Sequence, residues 1–374
     1  MKKIGLVTLY EVDNYGTCLQ AFALSHIVNM MGYESEIIRF DRNLSIPKEP
    51  LHRKVVSVGI ANAINIALCR SAIKVRKEKF NKFRKDYFKY SDYLYSCVEE
   101  VKNANIEYDA YITGSDMVWS WELKDFLDYY FLRFADCHKR ISYAPSFGNT
   151  KFNKEMNNYY KEALAGMRYC SCREERGVEF VKNEVGKDCI LASDPTLLIT
   201  KEVWNELFSL KCNNEKNILF YMFGDIPSWY IRNIKKYEQE GYVIRFVPQN
   251  YFQYRYEKKM GNDAFGPIEF IQAFNNASFV ITNTYHGLMF SLIYRKPFVM
   301  IHRDKNEHWA THEERMQSVL ELLGLEDRYL DLDNKISHVL MHLNYGSIET
   351  KLNGLIKSSK EYLLTALLNS TREV

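Results

Sequence analysis

The sequence lacks several features that would point directly to a class of protein. Its eight cysteines include no C-x-x-C pair, and Cys170 and Cys172 are too close together for the common zinc knuckle. No apolar run reaches the roughly 20 residues of a membrane-spanning helix, and no internal repeat is evident. A formal net charge of +3 is too small to indicate nucleic-acid binding. These absences favour an ordinary globular protein with reduced thiols.

Aromatic residues, in contrast, are plentiful, with 27 tyrosines and 22 phenylalanines. Core packing explains such a number, and stacking on sugars or bases is the functional alternative. The chain begins with Met1-Lys2-Lys3 and enters an apolar strand at once, without the long apolar region of a secretion signal. We therefore expect a cytoplasmic protein.

The first forty residues predict a β-loop-α-β unit. We expect a strand over 2–10, a loop with a glycine turn over 11–17, a helix over 18–32 and a strand over 35–40. A strand, helix and strand of these lengths favour a parallel sheet with a right-handed crossover.

Strands continue to alternate with helices along the chain, in two blocks that join near 200–216. This alternation predicts an α/β fold of two Rossmann-like domains that face each other across a cleft. We expect domains over 1–205 and 206–345, and a C-terminal helix within 346–374 that packs back on the first domain.

The segment 70–89 is strongly basic and carries interleaved aromatic residues. Its spacing predicts an amphipathic helix, for which a solvated outer face is the simpler interpretation. The alternative is peripheral contact with an anionic membrane surface or a phosphorylated lipid carrier at the inner face of the membrane.

Polar residues follow several of the predicted strands, where ligands of open α/β sheets bind. The stretch 279–301 is the most informative of these, because a buried strand leads through Asn283 and Thr284 into His286, Gly287 and a short apolar helix. Either this is only a tight turn between strand and helix, or His286 faces a ligand at the start of the helix.

Several segments, taken in order, resemble the polysaccharide pyruvyl transferase family. They are "NYGTCLQAFAL" (14–24), "YDAYITGSDMVW" (108–119), "ISYAPSFG" (141–148), "SCRE" (171–174), "SDPTLL" (193–198), "FNNASFVITNTYHGLMFSLIYRKPF" (274–298) and "ERMQSVLELLGLEDR" (314–328). The resemblance implies a fold similar to the two-domain GT-B glycosyltransferases. It also implies transfer of pyruvate from phosphoenolpyruvate to sugar hydroxyls, usually as a cyclic ketal, with release of phosphate.

The reaction implied by the resemblance requires an acid and an anion site, and the stretch after 282 can supply both. His286 is the expected general acid; a histidine that only hydrogen-bonds the turn is the alternative. Asn283 and Thr284 are residue types that cap helices, and Gly287 would let a phosphate approach the backbone. The free N–H groups of a helix start attract anions.

Cations are expected to hold the donor. Arg173 in "SCRE" matches a familial arginine, although an ion pair with Glu174 or Glu175 would also explain it. Many family members carry an arginine two residues before the histidine, where this chain has Thr284, so another cation is expected to compensate. Arg295, Arg303 and Arg315 are secondary candidates, since each alone is more typical of a surface or helix-pairing charge.

The acceptor side is expected on the first domain, and the donor side on the second. Asp116 in "GSD" can orient or deprotonate the acceptor hydroxyl, or simply cap a helix after Ser115. Asn14, Tyr15 and Gly16 are expected to line the acceptor side together with Ser115, or to form only a tight turn. For Asp194-Pro195, a turn at a strand end is the first interpretation and a site the second.

No metal or cofactor is expected beyond phosphoenolpyruvate as co-substrate. His308 and His312 have helical spacing, but no third ligand is evident beside them. The expected partners are phosphoenolpyruvate and a glycan acceptor. Two alternatives are a glycosyltransferase on the same fold that uses a nucleotide sugar and a non-catalytic glycan-binding protein.

Overall fold

The computed structural model describes residues 1–42, 70–104, 108–149, 151–213, 215–224, 236–248, 265–303, 313–331 and 338–372. Two parallel five-stranded sheets organise these residues. The strands that lie inside each sheet are short and nearly continuously apolar, as expected where both faces of a parallel sheet are covered. Phe279–Thr282 and Phe298–Ile301, for example, are buried at every position.

The N-terminal sheet has the strand order β3-β2-β1-β4-β5. Its strands are β1 (Lys3–Val7), β2 (Glu34–Phe40), β3 (Tyr90–Tyr95), β4 (Ala110–Thr113) and β5 (Arg140–Ser142). A parallel pair, β6 (Cys170–Cys172) and β7 (Cys189–Leu191), continues beyond β5 through a bridge between Ile141 and Tyr169. This half therefore has the order of a Rossmann sheet.

The C-terminal sheet has the order β12-β11-β10-β8-β9. Its strands are β8 (Asn217–Tyr221), β9 (Val243–Phe246), β10 (Phe279–Thr282), β11 (Phe298–Ile301) and β12 (Tyr329–Leu330). This is the second common order of doubly wound α/β sheets. The predicted α/β class with two Rossmann-like domains, the GT-B type of arrangement, is confirmed.

Helices connect the strands in both halves. They are α1 (Tyr15–Met30), α2 (Arg70–Tyr87), α3 (Val98–Asn103), α4 (Leu127–Tyr130), α5 (Lys154–Ala165), α6 (Glu175–Phe180), α7 (Lys201–Leu207), α8 (Pro267–Asn276), α9 (Tyr285–Ile293), α10 (Glu314–Leu323) and α11 (Glu349–Ser370). Among them, α2 follows the helix predicted over 70–89 to within two residues.

The first helix starts earlier than predicted, and the prediction of a glycine turn through 17 was wrong. Asn14 is the N-cap, and its side chain accepts a hydrogen bond from the Thr17 N–H at 3.1 Å. Tyr15 and Gly16 therefore belong to the first turn of α1. The other end agrees better with expectation, because Gly32 follows the helix with a left-handed φ of 90°.

The basic segment forms α2 as predicted, and part of its charge is used inside the protein. Phe80 and Phe83 are buried, Arg84 pairs with Asp13 at 2.7 Å, and Lys79 pairs with Glu269 of α8 at 2.7 Å. Membrane contact through 70–89 stays a prediction. Across the described ranges, no helix combines the length and apolar character needed to cross a bilayer.

The C-terminal helix contacts the N-terminal half. The buried Ser359 of α11 accepts a hydrogen bond from the Ser193 N–H at 2.9 Å, and the Tyr362 hydroxyl donates to the Ser142 carbonyl at 2.8 Å. The chain thus returns to its first half after completing the second. The proposed boundaries at 205 and 345 stay predictions.

The contact between Ser359 and Ser193 predicts a measurable cost in stability. Ser359→Ala leaves the buried Ser193 N–H without its acceptor, which should lower the free energy of unfolding by roughly 1–3 kcal/mol. Urea denaturation measures this change. The neighbouring Ser358 is exposed on the same helix, so Ser358→Ala is the matched control and should change stability by less than about 0.5 kcal/mol. Equal effects of the two substitutions would contradict the assignment.

Candidate active site

The topological switch points of the two sheets face each other. In the N-terminal sheet the strand order reverses between β1 and β4, and in the C-terminal sheet between β8 and β10. Ligands of open α/β sheets bind at such points, beyond the carboxyl ends of the strands. The segments that leave these strands are the start of α1, residues 114–116, residues 222–224 and the start of α9.

The start of α9 is held rigidly by its own side chains. Thr284 is the N-cap and accepts a hydrogen bond from the Gly287 N–H at 2.9 Å. Asn283 ties β10 to the end of β8, because its side-chain amide exchanges two hydrogen bonds with the backbone of Phe223, at 2.7 and 2.9 Å. A Cβ on Gly287 would lie 2.1 Å from the Thr282 hydroxyl oxygen. The hydroxyl groups of Thr282 and Thr284 leave no room for a side chain at this position, so glycine is required here whether or not a phosphate binds.

His286 of α9 lies directly against Gly16 of α1, across the boundary between the two halves. A Cβ built on Gly16 would lie 2.0 Å from Nδ1 of the His286 ring. Only glycine leaves room for the imidazole at this point. The first turn of α1 and the first turn of α9 therefore define one site.

His286 also lies 3.5 Å from a carboxylate, measured from its Nε2 to Oδ2 of Asp194. Asp194 is fully buried and caps the turn Pro195–Leu198 by accepting from the Thr196 N–H at 3.0 Å. Burial by itself would raise the pKa of Asp194. The charges of His286 and Arg173 outweigh that effect and hold this pKa well below its usual range.

Arg173 lies at the centre of the cluster and is completely buried in its side chain. Its Nη1 donates to Asp194 Oδ2 at 3.0 Å, its Nη2 lies 3.6 Å from Asp116 Oδ1, and its guanidinium carbon is 4.1 Å from the centre of the Tyr285 ring. The alternative interpretation of Arg173, an ion pair with Glu174 or Glu175, is not what the structure shows, because its ion-pair partners are Asp194 and Asp116. Among the described residues, Nε and Nη2 of Arg173 have no hydrogen-bond partner.

Asp116 occupies a left-handed backbone conformation with a φ of 68°. Its Oδ2 accepts from the Thr17 hydroxyl at 2.6 Å, and its Oδ1 accepts from the Met117 N–H at 2.9 Å. Burial would raise the pKa of Asp116, but the charges of Arg173, His286 and then Arg315 lower it. No regular helix starts directly after it, so the helix-capping alternative was wrong.

The other residues expected on the acceptor side are largely enclosed. The Ser115 hydroxyl lies 2.9 Å from the Ala144 carbonyl and 3.2 Å from Asp194 Oδ2. Tyr15 is fully buried between the halves, stacked on Phe270 of α8 with ring centres 5.0 Å apart. Asn14, the N-cap of α1, is half-buried.

Arg295 is not brought to the cluster. It follows α9 at its far end, its side chain is about half exposed, and it forms an ion pair with Glu349 of α11. A role in holding the donor would require it to act from the opposite end of that helix.

Sequence reasoning missed or underrated four residues of the cluster. Asp194 was first interpreted as a turn residue, and the structure shows that it caps a turn and pairs with His286 and Arg173 at once. Its place after a strand of the N-terminal half was the available clue. Arg315 was named only as a secondary candidate, Glu174 only as an alternative ion-pair partner of Arg173, and Thr17 was not named. Burial raises the pKa of Glu174, whose Oε1 accepts from the Phe147 N–H at 2.7 Å.

The described part of the chain contains no group of His, Cys, Asp and Glu side chains arranged to hold a metal ion. His308 and His312 lie outside the described residues. The chemistry available in the cluster is that of a histidine paired with a buried carboxylate, surrounded by buried guanidinium groups. Such a set can bind an anion and transfer a proton to it.

The fold and this cluster define a two-domain α/β protein with a buried cluster of charged residues between its two halves. A profile of the family described as Polysaccharide pyruvyl transferase matches residues 14–305. Because the match covers most of the chain, the protein belongs to the polysaccharide pyruvyl transferase family. Membership supports pyruvyl transfer to a polysaccharide. A comparison with curated proteins gives no significant match.

Solved structures resemble the protein only distantly. UDP-GlcNAc 2-epimerase from Neisseria meningitidis bound to UDP-GlcNAc shares 8% identity over 98% of this chain and 100% of its own, with a TM-score of 0.47. The E. coli heptosyltransferase WaaC with ADP shares 13% identity over 83% and 90% of the two chains, with a TM-score of 0.40. At these TM-scores the likenesses carry no argument about function.

The lowered pKa of Asp194 predicts how stability depends on pH. A folded-state pKa below the unfolded value of about 3.9 contributes stability above that pH, and the contribution is lost as the pH falls through the folded pKa. Asp194→Asn removes this contribution, so its unfolding free energy should fall less steeply below about pH 5 than that of the wild type. Urea titrations from pH 7 downward measure both slopes. The exposed Asp188 provides the control, and Asp188→Asn should keep the wild-type slope.

The contact of Gly16 with His286 predicts that a single methyl group disturbs the site. Gly16→Ala must displace the imidazole, and misplacement of a reacting group by about 1 Å can cost on the order of 100-fold in turnover. Transferase activity should fall by about that factor. Gly354→Ala is the control, because nothing lies within 4 Å of a Cβ added there in α11. Wild-type activity in Gly16→Ala would show that the observed contact does not position His286.

Proposed function

We propose that this protein transfers the pyruvyl group of phosphoenolpyruvate to hydroxyls of a sugar in a surface polysaccharide or its precursor, as a cyclic ketal, with release of phosphate. One observation carries the proposal: His286 lies 3.5 Å from the buried Asp194, which also pairs with the buried Arg173, where the switch points of both sheets meet. Family membership supplies the reaction class. We propose no cofactor besides this co-substrate.

The reaction needs an acid first. A proton is added to the methylene carbon of phosphoenolpyruvate, and a sugar hydroxyl adds to the neighbouring carbon and gives up its own proton. Loss of phosphate from that carbon then lets a second hydroxyl add, again with loss of a proton. Two hydroxyls and phosphoenolpyruvate thus give one ketal and one phosphate.

His286 is the proposed acid for the first step. A carboxylate close to an imidazole fixes the orientation of the ring. Asp194 has that position, and Gly16 supports the other side of the ring. Both contacts would hold the proton donor in one place while the donor substrate binds.

Arg173 is the proposed anion-binding residue. Two of its nitrogens have no hydrogen-bond partner among the described residues, and its remaining contacts hold it in place. A planar guanidinium matches the spacing of phosphate or carboxylate oxygens. Asn283, Thr284 and Gly287 are proposed to act on the donor by fixing the start of α9, whose partial positive charge favours an anion.

Asp116 is proposed to orient the acceptor hydroxyl. Its lowered pKa keeps it ionised beside the cations and makes it a weak base, so orientation is better supported than proton removal. Asn14 at the helix start is the most accessible of the residues proposed for the acceptor side, together with Tyr15, Gly16 and Ser115.

Ligand-dependent thermal unfolding and product analysis test the proposal together. A ligand at about a hundred times its dissociation constant stabilises a protein by roughly 2.7 kcal/mol, so phosphoenolpyruvate should raise the melting temperature. Glycan acceptors should then yield phosphate and a pyruvylated sugar. His286→Gln should retain the thermal shift and lose turnover by about 100- to 10,000-fold.

The exposed His138 supplies the control, and His138→Gln should keep full turnover. A panel of nucleotide sugars is measured beside phosphoenolpyruvate. Stabilisation by a nucleotide sugar alone would replace the proposal with glycosyl transfer. If the protein binds glycans without turnover, and His286→Gln does not change that binding, the protein is a non-catalytic glycan-binding protein.

A further inference from the structure

Arg315 belongs to the C-terminal half, yet its side chain enters the cluster of the N-terminal half. It lies in the first turn of α10 and is only 8% exposed. Its Nη1 is 4.0 Å from Asp116 Oδ1. The start of α10 is held there by two further contacts, between Arg176 and Glu314 at 2.7 Å and between the Glu175 N–H and the Ser318 hydroxyl at 3.3 Å.

The positive charge of Arg315 is poorly balanced. Asp116 is the acid within ion-pair distance among the described residues, and it already faces Arg173 and accepts two hydrogen bonds. Burial and then the charge of Arg173 lower the pKa of Arg315 to about 10. The buried Nε of Arg315 has no hydrogen-bond partner in the described part of the chain. A buried guanidinium in this state lacks an anion.

Arg315 and Arg173 contact the same aromatic ring. Their guanidinium carbons lie 5.5 Å and 4.1 Å from the centre of Tyr285, the residue before His286. Tyr285 thus orients two cations that come from opposite halves of the protein. Both have unpartnered N–H groups, on Nε of each residue and on Nη2 of Arg173.

We propose that Arg315 is a second anion-binding residue of the donor site, which holds the phosphate group of the donor together with Arg173. A phosphate carries up to two negative charges and several acceptor oxygens, so two guanidinium groups suit it better than one. The identification of the donor rests on the proposed function. Arg173 from the N-terminal half and Arg315 from the C-terminal half then bind the donor at the same time, which requires that the domains be closed around it.

Calorimetric titration with inorganic phosphate and with phosphoenolpyruvate tests the role of Arg315. Arg315→Gln should weaken the binding of both by about 10- to 100-fold, since a charged hydrogen-bonded contact is lost. Arg315→Lys keeps the charge but loses the planar fork, and should weaken binding by a smaller factor. Arg168→Gln is the control, because it removes an exposed arginine that takes no part in the cluster, and it should bind both ligands as the wild type does.

The outcomes separate the two proposals. If the wild type binds phosphate and Arg315→Gln binds it equally well, Arg315 is not an anion-binding residue. The same conclusion follows if Arg315→Gln weakens the binding of phosphoenolpyruvate but not that of phosphate. Should Arg315→Gln fail to fold, Arg315→Lys decides, and unchanged phosphate affinity there overturns the assignment. If phosphate binding depends on Arg315 but phosphoenolpyruvate is not consumed with any glycan acceptor, the proposed reaction is wrong and the assignment of Arg315 to an anion site still holds.

Discussion

The buried ion pair between Arg173 and Asp194 is the interaction on which the rest of the site depends. Burying two charges is costly unless each finds its partners, and breaking such a pair leaves the other charge uncompensated. Here both partners also reach the second domain, Asp194 through His286 and Arg173 through the ring of Tyr285. One pair in the N-terminal half thereby fixes the start of α9 in the C-terminal half, and with it the imidazole that we propose as the proton donor.

Much of the fold could be predicted from the sequence because apolar residues recur at spacings typical of strands and helices. The stretch 279–301 shows this well, since its strand, short helix and second strand occur where the pattern placed them. The start of α1 was missed because the reason lies far away in the sequence. Gly16 looked like part of a turn, but the residue is small because His286 lies against it, a contact from 270 residues away that no local pattern contains.

The candidate site was predictable in part. His286, Asp116 and Arg173 follow strands whose carboxyl ends meet, so their convergence follows from topology and is seen in the structure. The arginines show what topology leaves out. Arg295 lies just after α9 and Arg315 in the first turn of α10, both in the C-terminal half. The side chain of Arg295 is half exposed and pairs with Glu349, whereas that of Arg315 is buried near Asp116. That difference depends on how the domains pack together, and sequence periodicity does not encode it.

The return of α11 to the N-terminal half means that the chain passes between the halves twice, once near residue 210 and once before Glu349. A single connection would let one half swing and twist freely on the other. Two connections restrict the relative motion of the halves and favour rotation about one axis, the line that joins the two connections. Any separation of the two halves would therefore follow one arc, and the start of α9 would return along it to the same place against α1.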